Sequence, residues 1–218
     1  MKRLLTIVCL YLSSLLPVGA AGANAPAQQL VIDTTTAPAQ QLVIDTTTKL
    51  LALIESERKQ ITARPVFIYE LVEGTIFPHF DFERMARLVL GKHWRKASKT
   101  QREQFINEFS FLLVRTYATA MMDYSGQEVI YLPFREGKKK DEVVVRTEID
   151  QKGGFPIPID YNLHLKEGAW KVYNVKIDAV SLVLNYRTTF SGEIRKLKGI
   201  DGLIAQLQKR NQDARDGR

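Results

Sequence analysis

The sequence predicts an α+β fold in which a curled antiparallel sheet of about four strands packs against several helices, in a cone-like shape that encloses an apolar cavity. Two patterns predict this fold. Apolar residues recur at helical spacing from about residue 50 to residue 123, whereas apolar and polar residues alternate from about residue 128 to residue 177. Helices followed by strands are typical of an α+β domain with one shared core.

The helices are predicted from their apolar spacing and their capping residues. The first begins near Lys49, with 46–48 as candidate N-caps, and the second covers 65–77 and ends before a proline. A third helix is capped by Asp81 and stops at a glycine. A capping box at 98–101 begins a long fourth helix, which is apolar on nearly all sides and is therefore expected to be buried.

Arg115 lies in the buried part of this long helix. A buried guanidinium needs a partner, because an unpaired charge away from water is costly. Asp81 or Glu83 would provide a structural ion pair, and an anionic ligand is the alternative. Structural pairing is the more common case.

The strands are predicted at 128–134, 142–149, 157–165 and 170–177, joined by short turns as an antiparallel meander. Each has one apolar and one polar face, because successive side chains of a strand point to opposite sides. In the last strand the apolar phase changes between Val172 and Val175. This change predicts a β-bulge near Tyr173 and Asn174 that curls the sheet.

The first residues have the three-part pattern of a secretory signal peptide. Lys2 and Arg3 precede an apolar run at 4–16, which is followed by a proline and small residues. The run is shorter than the ~20 residues that span a bilayer. We assign residues 1–23 to the signal peptide and expect an exported protein. Three cleavage points satisfy the small-x-small rule: after Ala20, after Ala23 or after Ala25.

The single cysteine, Cys9, lies inside this apolar run. The mature chain would then contain no thiol, which excludes disulfides, cysteine nucleophiles and thiolate metal sites. An exported chain without disulfides must be stabilised by its core. Its length of roughly 190 residues is sufficient for one domain.

A tandem duplication follows the signal peptide, because residues 25–36 and 37–48 both read APAQQLVIDTTT. Two copies are too few for a solenoid, which needs at least three repeats to bury a shared core. We expect 24–48 to be a flexible leader, 49–210 a single α+β domain and 211–218 a disordered tail.

The charge of the chain is moderately positive, with 31 basic and 24 acidic residues. Much of the excess lies at 138–140 and after Lys196. There is no Arg-rich arm or aromatic ladder, so we expect no binding to nucleic acid. A positive field suits anionic membrane surfaces or acidic partners, and a simple solvated face is the alternative.

No catalytic constellation or metal site is predicted. The three histidines are far apart in sequence, and there is no P-loop, nucleophile elbow or dinucleotide fingerprint. Two acid/base pairs are conceivable from spacing: His79 with Asp81 in a loop, and Asp160 with His164 on one face of a strand. Both are more often structural or surface groups.

Five blocks of residues stand out in the chain: FDFERMA at 80–86, LGKHW at 90–94, QREQF at 101–105, LVRTY at 113–117, and WKVYNV continuing through VSL to NYR at 170–187. In this order they resemble the MlaC family of periplasmic phospholipid-transport proteins, also called toluene-tolerance proteins. The resemblance covers roughly residues 50 to 207. One residue departs from the family, which usually has Asp where this chain has Asn174.

The resemblance implies a cone-like, NTF2-like lipid-binding domain that acts as a carrier and not as an enzyme, without a cofactor and with phospholipid as its cargo. It implies a monomer in a Gram-negative periplasm that moves phospholipid between an outer-membrane lipoprotein complex and an inner-membrane ABC transporter with an MCE-domain ring. One branch of the family is associated with hopanoid synthesis, so hopanoid or another lipid is an alternative cargo. Two further functions stay open from the sequence: an exported NTF2-like enzyme, and a scaffold that binds envelope proteins through its basic tail.

A lipid carrier needs an apolar lining, because moving ~30 methylenes into water would cost on the order of 25 kcal/mol. The candidate lining residues come from the long helix, the strands and the segment after them: Tyr117, Val143, Val145, Tyr161, Leu163, Val172, Leu182 and Tyr186. An ordinary filled core is the alternative. Arg115, Arg146 and Arg187 are candidates for headgroup binding or docking, and each of the last two could equally be part of a structural salt bridge.

Overall fold

The computed structural model describes residues 37–122, 124–135, 139–151 and 153–216, without the side chains of residues 119 and 120. The predicted signal peptide and the first repeat copy lie outside the described residues. The helices are α1 Pro38–Ser56, α2 Arg58–Ala63, α3 Phe67–Ile76, α4 Phe82–Leu90, α5 Lys92–Lys96, α6 Lys99–Met122, α7 Leu182–Lys196 and α8 Ile200–Arg215, with a 3-10 helix at Phe77–His79. The strands are β1 Val129–Tyr131, β2 Glu142–Ile149, β3 Ile157–Lys166, β4 Ala169–Ile177 and β5 Val180–Ser181.

The five strands form one sheet in chain order, and each pairs antiparallel with the next. The predicted α+β fold with a curled antiparallel sheet is confirmed, with the two-residue β5 as an additional strand. Asn162 pairs with Asn174, whereas Leu163 pairs with Val172, so Tyr173 is the extra residue of a bulge between β3 and β4. The bulge lies where the change of apolar phase predicts it.

The predicted caps are present. Asp81 Oδ1 accepts a hydrogen bond from the Arg84 backbone N–H at 2.9 Å and begins α4. The helix ends at Gly91, whose φ of 52° is unfavourable for residues with a side chain. The Ser98 backbone N–H donates to Gln101 Oε1 at 2.9 Å, and the Gln101 backbone N–H donates to Ser98 Oγ at 3.1 Å. These two bonds form the reciprocal capping box at the start of α6.

Two hydrophobic clusters hold these elements together. The first, main cluster packs the sheet against residues of α1, α4, α6, α7 and α8. The second cluster lies among the helices and contains residues of α1, α2, α3 and α6: Leu50, Ile54, Ile61, Ile68, Val72, Val114 and Ala118. The long helix α6 contributes to both clusters, which explains why it is apolar on nearly all sides.

Helix α1 begins at Pro38, so the predicted flexible leader is wrong for residues 38–48. Within the second repeat copy, Ala39 is 1% exposed and Val43 is 4% exposed. These two residues continue the stripe of Leu50 and Ile54 at helical spacing. The threonines at 46–48 therefore lie inside the helix and are not its N-caps.

Helix α8 continues to Arg215, so the predicted disordered tail is wrong for residues 211–215. Asn211 is fully buried in this last part of the chain. Its Nδ2 donates to the backbone oxygen of Glu108 at 2.9 Å and to Glu108 Oε2 at 2.6 Å. Asn211, which the sequence analysis assigns to a disordered tail, thus links α8 to α6 by hydrogen bonds.

The helices in the described part of the chain pack within the protein. None of them is both long enough and apolar enough to cross a lipid bilayer. They instead bury their apolar faces against one another and against the sheet, as the two clusters describe.

Candidate functional site

The concave face of the sheet carries the strand residues predicted to line a cavity. Across β2, β3 and β4, Val143 pairs with Leu163 and Leu163 pairs with Val172. Val145 pairs with Tyr161 two residues further along. Strand alternation turns all five of these side chains to the inner face. Among them, Leu163 is 0% exposed and Val145 is 1% exposed.

Two helices bring the other predicted residues to this face. Tyr117 lies on α6, and Leu182 and Tyr186 lie on the first turns of α7. The hydroxyls of Tyr117 and Tyr186 are hydrogen-bonded to each other, and burial raises the pKa of Tyr117 well above its usual value. The ring of Tyr186 packs edge-on against Phe109 of α6, with 5.4 Å between ring centroids. All eight predicted residues belong to the main cluster or pack against it.

The position of α7 depends on hydrogen bonds made by Asn174. Asn174 is buried at the bulge, and its Oδ1 accepts from Ser181 Oγ at 3.0 Å and from the Val183 backbone N–H at 3.3 Å. Its Nδ2 donates to Asn162 Oδ1 at 3.0 Å, a bond that a carboxylate could not donate. Ser181 in turn caps α7.

The inner face of β3 is most buried at its centre. Leu163 is fully buried, whereas Tyr161 and Ile159 on one side of it are partly buried and Leu165 on the other side is 44% exposed. Phe155, in the turn before β3, is 94% exposed. The apolar face therefore becomes more accessible toward both ends of this strand.

Helix α1 packs against β1, the residue after it, and β3. Gln40 Nε2 donates to the backbone oxygen of Leu132 at 3.0 Å. The side chain of Thr47 hydrogen-bonds to the hydroxyls of Tyr131 and Tyr161. Burial raises the pKa of Tyr161 to about 12, although its hydrogen bonds to Thr147 and Thr47 act in the opposite direction. The second repeat copy therefore packs against the sheet, which the sequence did not predict.

The three predicted arginines have different neighbours. Arg115 Nε donates to Asn211 Oδ1 at 3.0 Å, so this partner lies on α8. Arg146 lies opposite Asp160 in the β2–β3 register and one residue from Val145, on the outer face of the sheet. The guanidinium of Arg187 lies against Gly91, where α4 ends. Headgroup or docking roles for these arginines stay predictions.

A buried ionic centre lies on the outer side, where α4 meets the end of β3. The Asp81 carboxylate, which is 6% exposed, contacts His164 Nε2 at 3.0 Å and Lys166 Nζ at 3.1 Å. Burial raises the pKa of Asp81, but the Arg84 N–H, Lys166 and His164 together hold it below its usual value. The centre matches neither acid/base pair suggested by sequence spacing, which were His79 with Asp81 and Asp160 with His164. His164 bonds Asp81 instead.

This centre opens into a cleft of about 590 Å³. The cleft is lined by Asp81, Glu83, Arg84, Arg87, Leu88, His164 and Lys166. Arg84 is held there by Glu142 at 2.7 Å and by the ring of Tyr173, whose centroid is 3.8 Å from the guanidinium carbon. The capping bond, two ion pairs and a cation–π contact fit a structural junction between α4 and the sheet.

The described side chains form no cluster suited to a metal ion. Within residues 37–216, apart from the gaps given above, no three His, Cys, Asp or Glu residues are grouped to hold one. At the α4 junction, Asp81 is bonded to His164, to Lys166 and to the Arg84 backbone N–H.

Comparison with known proteins gives consistent results. Residues 44–209 match the family model of the MlaC protein. The chain is 29% identical over 164 residues to the intermembrane phospholipid transport system binding protein MlaC of Haemophilus influenzae, covering 74% of this chain and 76% of that protein. It is 25% identical over 174 residues to a toluene tolerance protein of Pseudomonas putida, covering 76% and 80%.

A solved structure is similar over most of the fold. The phospholipid-binding protein of Ralstonia solanacearum, in complex with a phospholipid, superposes with a TM-score of 0.74 at 32% sequence identity, covering 81% of this chain and 98% of that one. The family model covers far more than half of this chain. The chain therefore belongs to the MlaC family of lipid-binding transport proteins.

Proposed function

We propose that this protein binds phospholipid with the acyl chains between the concave face of the sheet and helices α6 and α7. Two observations on similar proteins support the proposal: one relative is named as a binding protein for intermembrane phospholipid transport, and a structural relative holds a phospholipid. The observation on this chain that carries it is the main apolar cluster, which brings the inner face of the sheet together with α6 and α7 and which all eight predicted residues belong to or pack against.

The chemistry of the lining fits hydrocarbon. The inner-face residues Val143, Val145, Leu163 and Val172 have no polar side-chain atom. Each buried methylene contributes about 0.8 kcal/mol, so an apolar lining can offset the removal of acyl chains from a bilayer. The tyrosine hydroxyls of the lining are the polar groups that it offers to a glycerol ester or a headgroup.

Uptake of lipid requires the cluster to expand, because its central residues are almost fully buried in this structure. We propose that α1 moves away from the sheet in this step. Its contacts there include hydroxyl–hydroxyl bonds between Thr47 and two tyrosines, and a lipid ester or water can replace such bonds. The first half of α1 adds only Ala39 and Val43 as fully buried residues.

We further propose that the protein works in the periplasm as a carrier, without catalysis, between an outer-membrane lipoprotein complex and an inner-membrane ABC transporter with an MCE-domain ring. The names of the relatives and the pattern of a signal peptide support this assignment. The proposed cargo is phospholipid in general, and a hopanoid is the alternative cargo.

The proposed site is tested by a pair of substitutions on the same helix. Tyr186→Asp places a charge in the lining, whereas Leu184→Asp places it two residues away at a side chain that is 60% exposed. We expect folded Tyr186→Asp to lose most co-purifying phospholipid and folded Leu184→Asp to retain it, measured by solvent extraction and mass spectrometry. Equal phospholipid content in the two variants would contradict the assignment of the lining.

Transport is tested separately from binding. Protein loaded from one population of phospholipid vesicles is mixed with unlabelled acceptor vesicles, and transfer of a fluorescent phospholipid is followed. A carrier accelerates transfer in proportion to its concentration, and the Leu184→Asp variant serves as the matched control. Binding without any transfer, even in the presence of the partner complexes, would contradict the carrier function.

A further inference from the structure

Basic side chains are concentrated on the surface around α5. Residues 92–99 read KHWRKASK and residues 195–198 read RKLK, and neither segment contains an acidic residue. The seven basic residues are all exposed. They are Lys92, Arg95, Lys96, Lys99, Arg195, Lys196 and Lys198. We call the two segments together the basic surface.

Two contacts bring the two segments together. The guanidinium of Arg187 on α7 lies against Gly91, the residue before α5. Gln101 Nε2 donates to Asp201 Oδ1 at 2.7 Å and joins the start of α6 to the start of α8. Each segment lies in the sequence between one partner of the first contact and one partner of the second. The two segments therefore lie next to each other on the protein.

Most cations of the basic surface have no acidic partner. In the part of the chain that the structure describes, Lys99 is the one member close to a carboxylate, that of Glu103 at 3.9 Å. The positive field acts on His93, because burial, Lys92 and Lys96 together hold its pKa below the usual value. Unpaired cations this close repel one another, so an anionic partner binds them favourably.

The composition of the basic surface favours a lipid surface over a protein as this partner. Protein interfaces are rich in Arg and aromatic residues and poor in Lys. Here five of the seven cations are lysines, and Trp94, the aromatic residue of the two segments, is buried. Leu197 is 38% exposed between two lysines. Lysines beside an exposed apolar side chain suit the anionic headgroup layer and the hydrocarbon boundary below it.

We propose that the basic surface docks this protein on bilayers that contain anionic phospholipid. The docking surface is separate from the cargo site, because none of the eight residues proposed to line that site belongs to it. The proposal goes beyond the carrier function, since docking requires neither bound cargo nor the partner complexes. Exposed charges are screened by salt, so docking is reversible and depends on ionic strength.

Vesicle flotation measures the docking. The mature full-length protein is mixed with vesicles of phosphatidylethanolamine and phosphatidylglycerol, or with vesicles of phosphatidylcholine alone, and the bound fraction is determined. We expect at least about 10-fold tighter binding to the anionic vesicles in about 0.05 M salt. Most of this difference should disappear in about 1 M salt, where charges are screened within about 3 Å.

Two double substitutions test the two segments separately. Lys92→Gln/Lys96→Gln removes two charges from the first segment, and Lys196→Gln/Lys198→Gln removes two from the second. Each variant should bind the anionic vesicles at least about 10-fold more weakly, because every basic residue near an anionic surface adds to the affinity. Loss in both variants is expected only if both segments face the bilayer.

A control variant removes the same charge elsewhere. Lys49 and Lys59 are exposed residues of α1 and α2, so Lys49→Gln/Lys59→Gln should change binding by less than about twofold. All three variants should keep the phospholipid content of wild type, measured by solvent extraction, which separates docking from cargo binding. Equal binding to both kinds of vesicle, as expected of a surface that recognises an acidic protein, would overturn the proposal. Equal loss of binding in the control and the test variants would also overturn it.

Discussion

Asp81 and His164 are 83 residues apart in the sequence and are joined by a contact of 3.0 Å between Oδ2 and Nε2. The same carboxylate caps α4 through the Arg84 backbone N–H and contacts Lys166. One side chain thus connects a helix start to two residues on the outer face of β3. The junction supports the sheet from the side opposite the proposed lipid site.

Replacement of Asp81 should make stability depend less on pH. Asp81→Asn can still cap the helix but loses the charged contacts, so we expect a loss of about 2 kcal/mol in the free energy of unfolding at pH 7. Because the folded protein lowers the pKa of Asp81, its contribution is present above the ordinary aspartate pKa of about 3.9 and is lost as the pH falls through the folded value.

Urea unfolding between pH 3 and pH 7 measures this effect. The difference between wild type and Asp81→Asn should shrink below about pH 4. Asp150→Asn, at an exposed residue, serves as the control and should stay within about 0.5 kcal/mol of wild type. A difference between wild type and Asp81→Asn that stays constant over the whole pH range would contradict the assigned role.

Asn211 should be the most sensitive residue of the last helix. Asn211→Ala removes two hydrogen bonds to Glu108 and the acceptor of Arg115 Nε, all at a side chain with no exposed surface. We expect a loss of about 2 to 3 kcal/mol, because buried partners are left unsatisfied. Thermal or urea unfolding measures it.

The neighbouring Gln212 provides the matched control for Asn211. Its amide bonds Asp216 at an exposed site, so Gln212→Ala should cost less than about 0.5 kcal/mol. Similar stabilities of the two variants would mean that α8 is frayed at residue 211, as the sequence suggests.

Val43 tests whether the second repeat copy belongs to the fold. It is 4% exposed in the main cluster, so Val43→Ala should destabilise the protein by about 2 kcal/mol through lost burial and a residual cavity. Gln41→Ala, two residues earlier at an exposed side chain, is the control. If Val43→Ala unfolds at the same urea concentration as Gln41→Ala, the first half of α1 is not packed on the sheet.

Local chemistry made several features predictable. The caps at Asp81 and at Ser98 with Gln101 depend on residues three apart, and the bulge at Tyr173 follows from the phase of one strand. The start of α1 was not predicted, because an exact tandem repeat is typical of an inserted segment. The stripe that begins at Ala39 is in phase with Ile54 and was the available signal.

Long-range polar partners could not be predicted in the same way. Arg115 meets Asn211 across 96 residues, and His164 meets Asp81 across 83 residues. Sequence spacing carries no information on such pairs, because the fold brings their elements together. Whether the eight apolar residues form a filled core or admit a ligand also depends on movement of the elements that cover them.

Native mass spectrometry of the protein purified from the periplasm of a Gram-negative host tests the central claim most directly, with solvent extraction to identify any bound lipid. The account predicts phospholipid bound in stoichiometric amount, and the mass of the complex gives the number of acyl chains. A folded protein that is empty after purification and takes up no phospholipid from vesicles would contradict it.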